Sequence, residues 1–459
     1  MSHTVNAAAR LDRLPMGDFH WRILRLVGFG MFFDSFDNSM AAGVMAALVK
    51  QGWSTLAMNA NFISATFIGL SVGAALAGLV GDRFGRRFAH QFNLLIFGAT
   101  CLLSAVAPSM TWLIVLRGLM GVGIGAEYVV GYSTVCEFVP PQRRGWALAL
   151  VGVMTMSGGF VVSLIGLVVI PTLGWRPMFL IGGLGALWVW YLRRKLPESP
   201  RWLEAMGRTQ DAERVMLAIE QEAAPGVALP PLSTPPPAAP RWVPFRVLFS
   251  RSVLSRTLLA MAVNVVCLVG FYSFSSWVPT FFVSQGLSVT RSLSFTTVMT
   301  AGAILGPVIG LLVSDRIGRR RGLMIAALAC GVVGLVYSQQ HTALGVVACG
   351  LLLVTGMTLM ISFGVGAYTA ELFPTEYRFR GGGLAQMTGR IGVILSPYAV
   401  LGLFHAYGVS VVVAAIALLY LALAIGIALF GIETNQVSLE DITPSADVLH
   451  DPANEAIIP

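Results

Sequence analysis

Asp34 and Asp37, three residues apart with Asn38 alongside, stand inside a run from about Leu26 to Val49 that is otherwise mostly Leu, Val, Met, Phe, Ala and Gly. Such a run is long enough to cross ~30 Å of hydrocarbon at ~1.5 Å per residue. At helical spacing the two carboxylates share a face. An ionised side chain at bilayer depth costs roughly 2.5–3.5 kcal/mol on insertion scales, so such groups face a protein interior or a wet cavity and mark a functional site. Two other apolar runs carry charges of their own. Arg117 needs an anionic partner, for which Asp34 or Asp37 is the candidate, and Glu127 lies about two and a half turns further along the same run. Arg390 is the intramembrane cation of the C-terminal half, and its planar fork suits bidentate recognition of a carboxylate.

The elements that must position these groups are membrane helices. Hydrophobic residues make up 56% of the 459 and charged residues 11%, and mean hydropathy is +0.76. These values exclude an ordinary soluble enzyme and indicate an all-α polytopic membrane protein. Twelve apolar segments fall at about 22–49, 57–80, 88–107, 111–138, 145–170, 178–192, 253–283, 292–313, 322–338, 343–371, 381–404 and 409–431. The first twenty residues include Arg10, Asp12, Arg13 and Asp18 and no apolar core, so no cleavable signal peptide is expected. All five cysteines, Cys101, Cys136, Cys267, Cys330 and Cys349, lie in apolar segments without metal-ligand spacing. Neither disulfide, metal site nor cofactor is expected.

Alternate connections hold 25 of the 30 Lys and Arg, whereas the opposite side has Lys50, Arg176 and Arg291. The positive-inside rule therefore places both termini in the cytoplasm. The net charge of +8 is on this reading a topology signal and not a nucleic-acid footprint. The expected organisation is a cytoplasmic tail at 1–21, a six-helix bundle at 22–192, a cytoplasmic linker with short helices at 193–250, a second six-helix bundle at 251–431 and a cytoplasmic tail at 432–459.

The halves repeat one another. Gly78-Leu-Val-Gly-Asp82-Arg83-Phe-Gly85-Arg86-Arg87 matches Leu311-Leu-Val-Ser-Asp315-Arg316-Ile-Gly318-Arg319-Arg320 at an offset of 233, and Glu137-Phe-Val-Pro140 matches Glu371-Leu-Phe-Pro374 at an offset of 234. Phe33-Asp34-Ser35-Phe36-Asp37 aligns with Phe271-Tyr272-Ser273-Phe274-Ser275, which keeps the apolar frame and replaces both carboxylates with hydroxyls. Proton handling is therefore expected in the first half. Tyr272, Phe274, Trp277, Phe363 and Tyr368 offer aromatic faces in the second, and with Asn38 and Arg390 they form the candidate substrate contacts. Two repeated six-span halves are the arrangement of a transporter whose halves rock about a fixed site.

With these motifs the chain resembles the major facilitator superfamily over nearly its whole length, through the Asp-Arg-x-Gly-Arg-Arg loops after spans 2 and 8. Pro197-Glu198-Ser199-Pro200-Arg201-Trp202-Leu203 and Glu371-Leu-Phe-Pro374-Thr-Glu-Tyr-Arg378 are similar to the branch holding sugar porters, organic-ion transporters and synaptic vesicle protein 2 relatives. The Asp-x-Phe-Asp of span 1 is similar to bacterial aromatic-acid and metabolite proton symporters. Gly389-Arg390-Ile-Gly392 with Pro397 is similar to bacterial niacin transporters. The resemblance implies proton-coupling roles for Asp34, Asp37, Arg117 and Glu127. It also implies a conformational latch of Asp82, Arg83, Arg86, Asp315, Arg316 and Arg319 with Glu137, Arg144, Glu371 and Arg378.

The expected function is import of a small organic anion, a monocyclic aromatic carboxylate such as nicotinate, by proton symport across the bacterial inner membrane. The expected partners are that anion, protons and lipid, with no nucleic acid, and the expected state is a monomer. A sugar or polyol porter is the nearest alternative, although the start of span 7, Asn264-Val-Val-Cys-Leu-Val-Gly-Phe271, lacks the glutamines that sugar sites use. A receptor-like member that binds without transporting is the other.

Overall fold

Apolar runs of membrane length become helices because, in hydrocarbon, each backbone N–H and C=O must be satisfied within its own segment. The computed structural model describes residues 5–226, 229, 231, 245–373 and 378–434, apart from the side chains of 78, 79, 82, 252, 311, 313–316, 366, 367, 370, 378 and 379. The N-terminal unit contains α1 (Ala7–Asp12), α2 (Asp18–Lys50), α3 (Leu56–Phe84), α4 (Arg86–Ala105), α5 (Met110–Phe138), α6 (Pro141–Leu173), α7 (Arg176–Leu192), α8 (Pro200–Ala205) and α9 (Thr209–Ala223). The C-terminal unit contains α10 (Arg251–Ser284), α11 (Val289–Ile317), α12 (Arg319–Ser338), α13 (Ala343–Met360), α14 (Thr369–Glu371), α15 (Arg378–Tyr407) and α16 (Val409–Phe430).

Among the described residues, ten of these helices are long and apolar enough by themselves to cross a bilayer. The other two of the twelve expected spans are α2, whose apolar character Asp34, Asp37 and Asn38 dilute, and α7, which is 17 residues long. Several starts are capped by hydroxyls: Thr55, Ser109, Ser288 and Thr342 accept from the amides of Met58, Trp112, Arg291 and Gly345. Each cap satisfies a donor that the first helical turn leaves over.

The internal repeat is carried into packing. In the first unit α3 packs on α5, α2 on α6, α4 on α7 and α4 on α5. In the second, α11 packs on α13, α10 on α15, α12 on α16 and α12 on α13. Gly121 and Gly125 are what let α5 approach α3: a Cβ added to Gly125 would lie 2.7 Å from the Leu70 Cα, and one on Gly121 would lie 3.1 Å from the Leu70 amide nitrogen. Small residues on one face are how helices gain contact in lipid, where the hydrophobic effect no longer drives association. Gly85 and Gly318 turn α3 into α4 and α11 into α12 with φ of +94° and +87°, a region where a side chain would be strained.

Two local features depart from the regular plan. Residues 361–368 form a π-helix between α13 and α14, the kind of irregularity that accompanies functional sites. Thr369 donates to the Gly364 carbonyl at 2.7 Å, and Asn264 Nδ2 of α10 donates to Thr369 Oγ1 at 2.9 Å. At the other departure, residues expected only as a tail form α1, docked on α8 and α9. Glu204 accepts from the amides of Asn6 and Ala7 at 2.8 and 2.9 Å, and Arg10 pairs with Glu213 at 2.6 Å and Glu220 at 2.7 Å.

Candidate functional site

Five charged side chains are buried among the described residues: Asp34, Asp37, Arg117, Glu127 and Arg193, all in the first unit. Asp37 and Arg117 form one pair, brought together by α2 and α5. The Arg117 Nη1 donates to the Asp37 carboxylate, Nη2 donates to the backbone carbonyl of the same residue at 3.2 Å, and Nε donates to Thr66 Oγ1 of α3 at 3.0 Å. The guanidinium also lies 5.1 Å from the Phe62 ring centroid, where a cation is favoured. Of the two aspartates left open by the sequence, the described partner of Arg117 is therefore Asp37. Cys101 Sγ of α4 completes its surroundings, 3.9 Å from Asp37 Oδ1.

Glu127 heads a second cluster that the sequence did not reveal. Arg193, in the turn after α7, donates Nη1 to Glu127, Nε to the Leu26 carbonyl at 2.9 Å and Nη2 to the Val27 carbonyl at 3.0 Å. His90 of α4 places Nδ1 at 3.2 Å from Glu127 Oε2 and 2.9 Å from Arg193 Nη1, and its Nε2 at 2.8 Å from Thr134 Oγ1. Arg193 opens the run Arg193-Arg194-Lys195, which in sequence looks like a headgroup anchor. Of the two cations that the sequence places inside apolar runs, Arg117 is buried and Arg390, on α15, only partly, while Arg193, outside those runs, is wholly buried.

Asp34 belongs to neither pair. It is fully buried, and neither carboxylate oxygen has a hydrogen-bond partner among the described residues. It feels the charges of Glu127, Arg193 and Asp37. Gly30, one turn earlier on α2, makes room for the neighbouring cluster: a Cβ there would fall 2.7 Å from Arg193 Cζ and 3.1 Å from Glu127 Oε1. The arrangement is thus an ion pair, a second ion pair with an imidazole attached, and one carboxyl group with no donor among the described residues.

The candidate substrate residues of the second unit divide by burial. Tyr272 is partly exposed, its ring edge-on to Phe271 at 5.2 Å, and Arg390 and, in the first unit, Asn38 are also partly exposed. Phe274, Trp277, Phe363 and Tyr368 are buried. Phe274 packs on Tyr337, Trp277 stacks on Phe281, and Tyr368 uses its hydroxyl to accept from the Ile432 amide at 3.0 Å.

The latch candidates tie helices together within each unit. Arg86 Nε bonds Glu137 Oε1 at 2.9 Å, and its counterpart Arg319 Nε lies 3.4 Å from Glu371 Oε1. Arg83 is exposed, its guanidinium 5.7 Å from the Phe84 ring, and Arg144 lies 3.6 Å from Asp12 of α1. Asp82, Asp315, Arg316 and Arg378 lie outside the residues whose side chains are described. A further repeated device escaped the sequence: Glu198 accepts from the Arg86 amide at 2.8 Å, and Glu433 accepts from the Arg319 amide at 2.7 Å. Each puts a negative charge on the N-terminus of the third long helix of its unit, where the helix dipole favours it.

Residues 25–445 match the family model described as "Sugar (and other) transporter". The chain is 38% identical over 442 residues to the inner membrane metabolite transport protein YdjE of Escherichia coli (strain K12), covering 95% of this chain and 98% of that protein. It is 32% identical over 445 residues to the niacin transporter NiaP of Acinetobacter baylyi, covering 95% and 100%. Among solved structures, an inward-open conformation of the xylose transporter XylE from E. coli superposes with a TM-score of 0.70 at 17% identity, covering 92% and 99%.

Proposed function

The chain belongs to the sugar (and other) transporter family of the major facilitator superfamily, a multi-pass membrane transporter and not an enzyme, and from that premise we propose that it imports a small organic anion by proton symport with alternating access. The observation that carries the proton half is Asp34. Buried, and with no donor among the described residues, its carboxylate has none of them to replace its lost hydration. Beside an Asp37 already matched by Arg117, it is the group with a reason to take up and release a proton.

The anion half rests on Arg390 and Tyr272. A guanidinium can supply two parallel donors to a carboxylate, and an aromatic face suits a flat ring. Together they favour a monocyclic aromatic carboxylate such as nicotinate, a reading consistent with the niacin transporter among the relatives. We place the protein in the bacterial inner membrane as a monomer, with both termini cytoplasmic by the positive-inside rule. The domain plan is two six-helix bundles, 22–192 and 251–431, joined by a cytoplasmic linker at 193–250. Arg83, Arg86, Arg319, Glu137, Arg144 and Glu371 would act as the conformational latch, together with Asp82, Asp315, Arg316 and Arg378.

The test is uptake of radiolabelled nicotinate, benzoate and xylose into proteoliposomes under an imposed pH gradient. Gradient-stimulated accumulation of an aromatic acid supports the proposal. Accumulation of xylose alone would favour the sugar reading, and saturable binding without flux the receptor-like one.

A further inference from the structure

Three buried carboxylates, Asp34, Asp37 and Glu127, face two buried guanidiniums, Arg117 and Arg193. The cluster is one positive charge short of neutrality, so one proton completes it. Two groups are built to hold that proton. One is Asp34, whose oxygens have no hydrogen-bond partner among the described residues. The other is His90. The Thr134 hydroxyl lies 2.8 Å from both the Val130 carbonyl and His90 Nε2, and when it donates to the carbonyl, Nε2 is the donor in their contact. Nδ1 is then the lone-pair nitrogen, held 3.2 Å from Glu127 Oε2. Two acceptors at that distance repel unless a donor bridges them, and Arg193 Nη1, 2.9 Å from Nδ1 and bonded to Glu127, supplies one. A proton on Nδ1 would instead make the imidazolium donate directly to Glu127.

We propose that Asp34 and His90 Nδ1 are alternative stations of a single shuttled proton, with the Glu127–Arg193 pair as the fixed electrostatic link between them. This rests on the proton coupling proposed above and assigns it an inner relay distinct from Asp37–Arg117. In the transfer the O–H bond at Asp34 breaks and an N–H bond forms at His90 Nδ1. Neutral Asp34 with neutral His90 becomes Asp34 carboxylate with imidazolium, and the total charge is unchanged. The groups that bear on the two stations are Asp37 on α2, Glu127 on α5, and Arg193 and Glu198 after α7. The neighbouring α6 carries no charge beyond Arg143 and Arg144 at its start. The direction is set by the chain: Asp34 lies midway along α2, whereas His90 is in the second turn of α4, next to the Gly85 turn on the face that the positive-inside rule assigns to the cytoplasm.

The test needs no substrate. Infrared pH-difference spectra of the purified protein in lipid nanodiscs should contain the C=O band of one protonated buried carboxyl group. That band should vanish in Asp34→Asn and change in amplitude in His90→Gln, because the proton no longer divides between two stations. Thr134→Val, which leaves all five charges in place and releases the Nε2 hydrogen bond, is the milder variant and should also alter the band. A band that survives Asp34→Asn, or is indifferent to both His90→Gln and Thr134→Val, overturns the proposal. In proteoliposomes His90→Gln should lose more than about tenfold in gradient-driven nicotinate accumulation, while nicotinate counterflow stays within about twofold. Equal loss of both readouts would mean a structural role and also overturns it. If wild-type vesicles carry no nicotinate, the substrate reading fails and the infrared result decides the relay on its own.

Discussion

Arg117 holds Asp37 at two points, the side-chain carboxylate and the backbone carbonyl of the same residue, while Asp34 one turn earlier has no hydrogen bond at all among the described residues. Two aspartates on one face of one helix are thereby given different chemistry. One is matched by a counter-ion, and the other is the proton acceptor proposed above.

The fixed pair should behave as a unit in stability. Removing one partner of a buried ion pair leaves an uncompensated charge at a cost of about 3–5 kcal/mol, whereas replacing both is often close to neutral. Arg117→Gln should therefore lower the thermal midpoint in detergent sharply, and Arg117→Gln combined with Asp37→Asn should recover much of the loss. Additive losses in this cycle would show that the two side chains do not interact.

Asp34→Asn should show the opposite dissociation. No hydrogen bond is broken and a buried ionisable group is removed, so the unfolding midpoint should stay level or rise. A fall comparable to that of Arg117→Gln would mean that Asp34 has a structural partner.

Arg390→Ala should abolish saturable nicotinate binding, and Arg390→Lys should weaken it by about tenfold or more, because an ammonium offers a point charge and not a fork. Equilibrium binding to the detergent-solubilised protein reads both. Wild-type affinity in Arg390→Ala would remove this residue from the anion site.

The docking of α1 should depend on pH. Hydrogen bonds from Arg10 and, more weakly, Arg13 hold the Glu220 carboxyl below its ordinary value of 4.5 against the opposing effect of burial, and the same contact raises Arg10. An acid depressed in the folded state binds fewer protons there than when unfolded. Its stabilisation is present above the ordinary carboxylate range and is lost as pH falls through it. Hydrogen-exchange protection at residues 7–12, taken relative to the intrinsic rate at each pH, should fall on acidification in the wild type, and should be low and flat with pH in Glu220→Gln.

The closeness of α3 and α5 should be visible in substitutions. Gly125→Val would push a branched side chain into the Leu70 backbone and should cost about 1–3 kcal/mol or prevent folding. Gly145→Ala meets nothing within 4 Å on α6 and should be neutral or stabilise by up to about 1 kcal/mol. Thermal unfolding compares the two directly.

The helices and their twofold repeat were legible because membrane length and apolar composition dictate them, and the carboxylates of α2 were legible because such groups are expensive there. The partners were harder. Arg117 announced its need for an acid without saying which, since Asp34 and Asp37 share a face. Arg193 was hidden in a basic run that serves topology equally well, and His90 contacts residues 37 and 103 positions away. Glu433 lay in a stretch read as tail, and only the structure pairs it with Glu198 as a repeated cap.

Nicotinate uptake into proteoliposomes with an inward proton gradient, compared between wild type and Asp34→Asn in matched orientation and amount, decides whether Asp34 carries the coupled proton. Wild-type vesicles should accumulate nicotinate above equilibrium and lose it when the gradient is collapsed, and Asp34→Asn should accumulate none despite a folded protein. Gradient-driven accumulation by Asp34→Asn at the wild-type level would contradict that role.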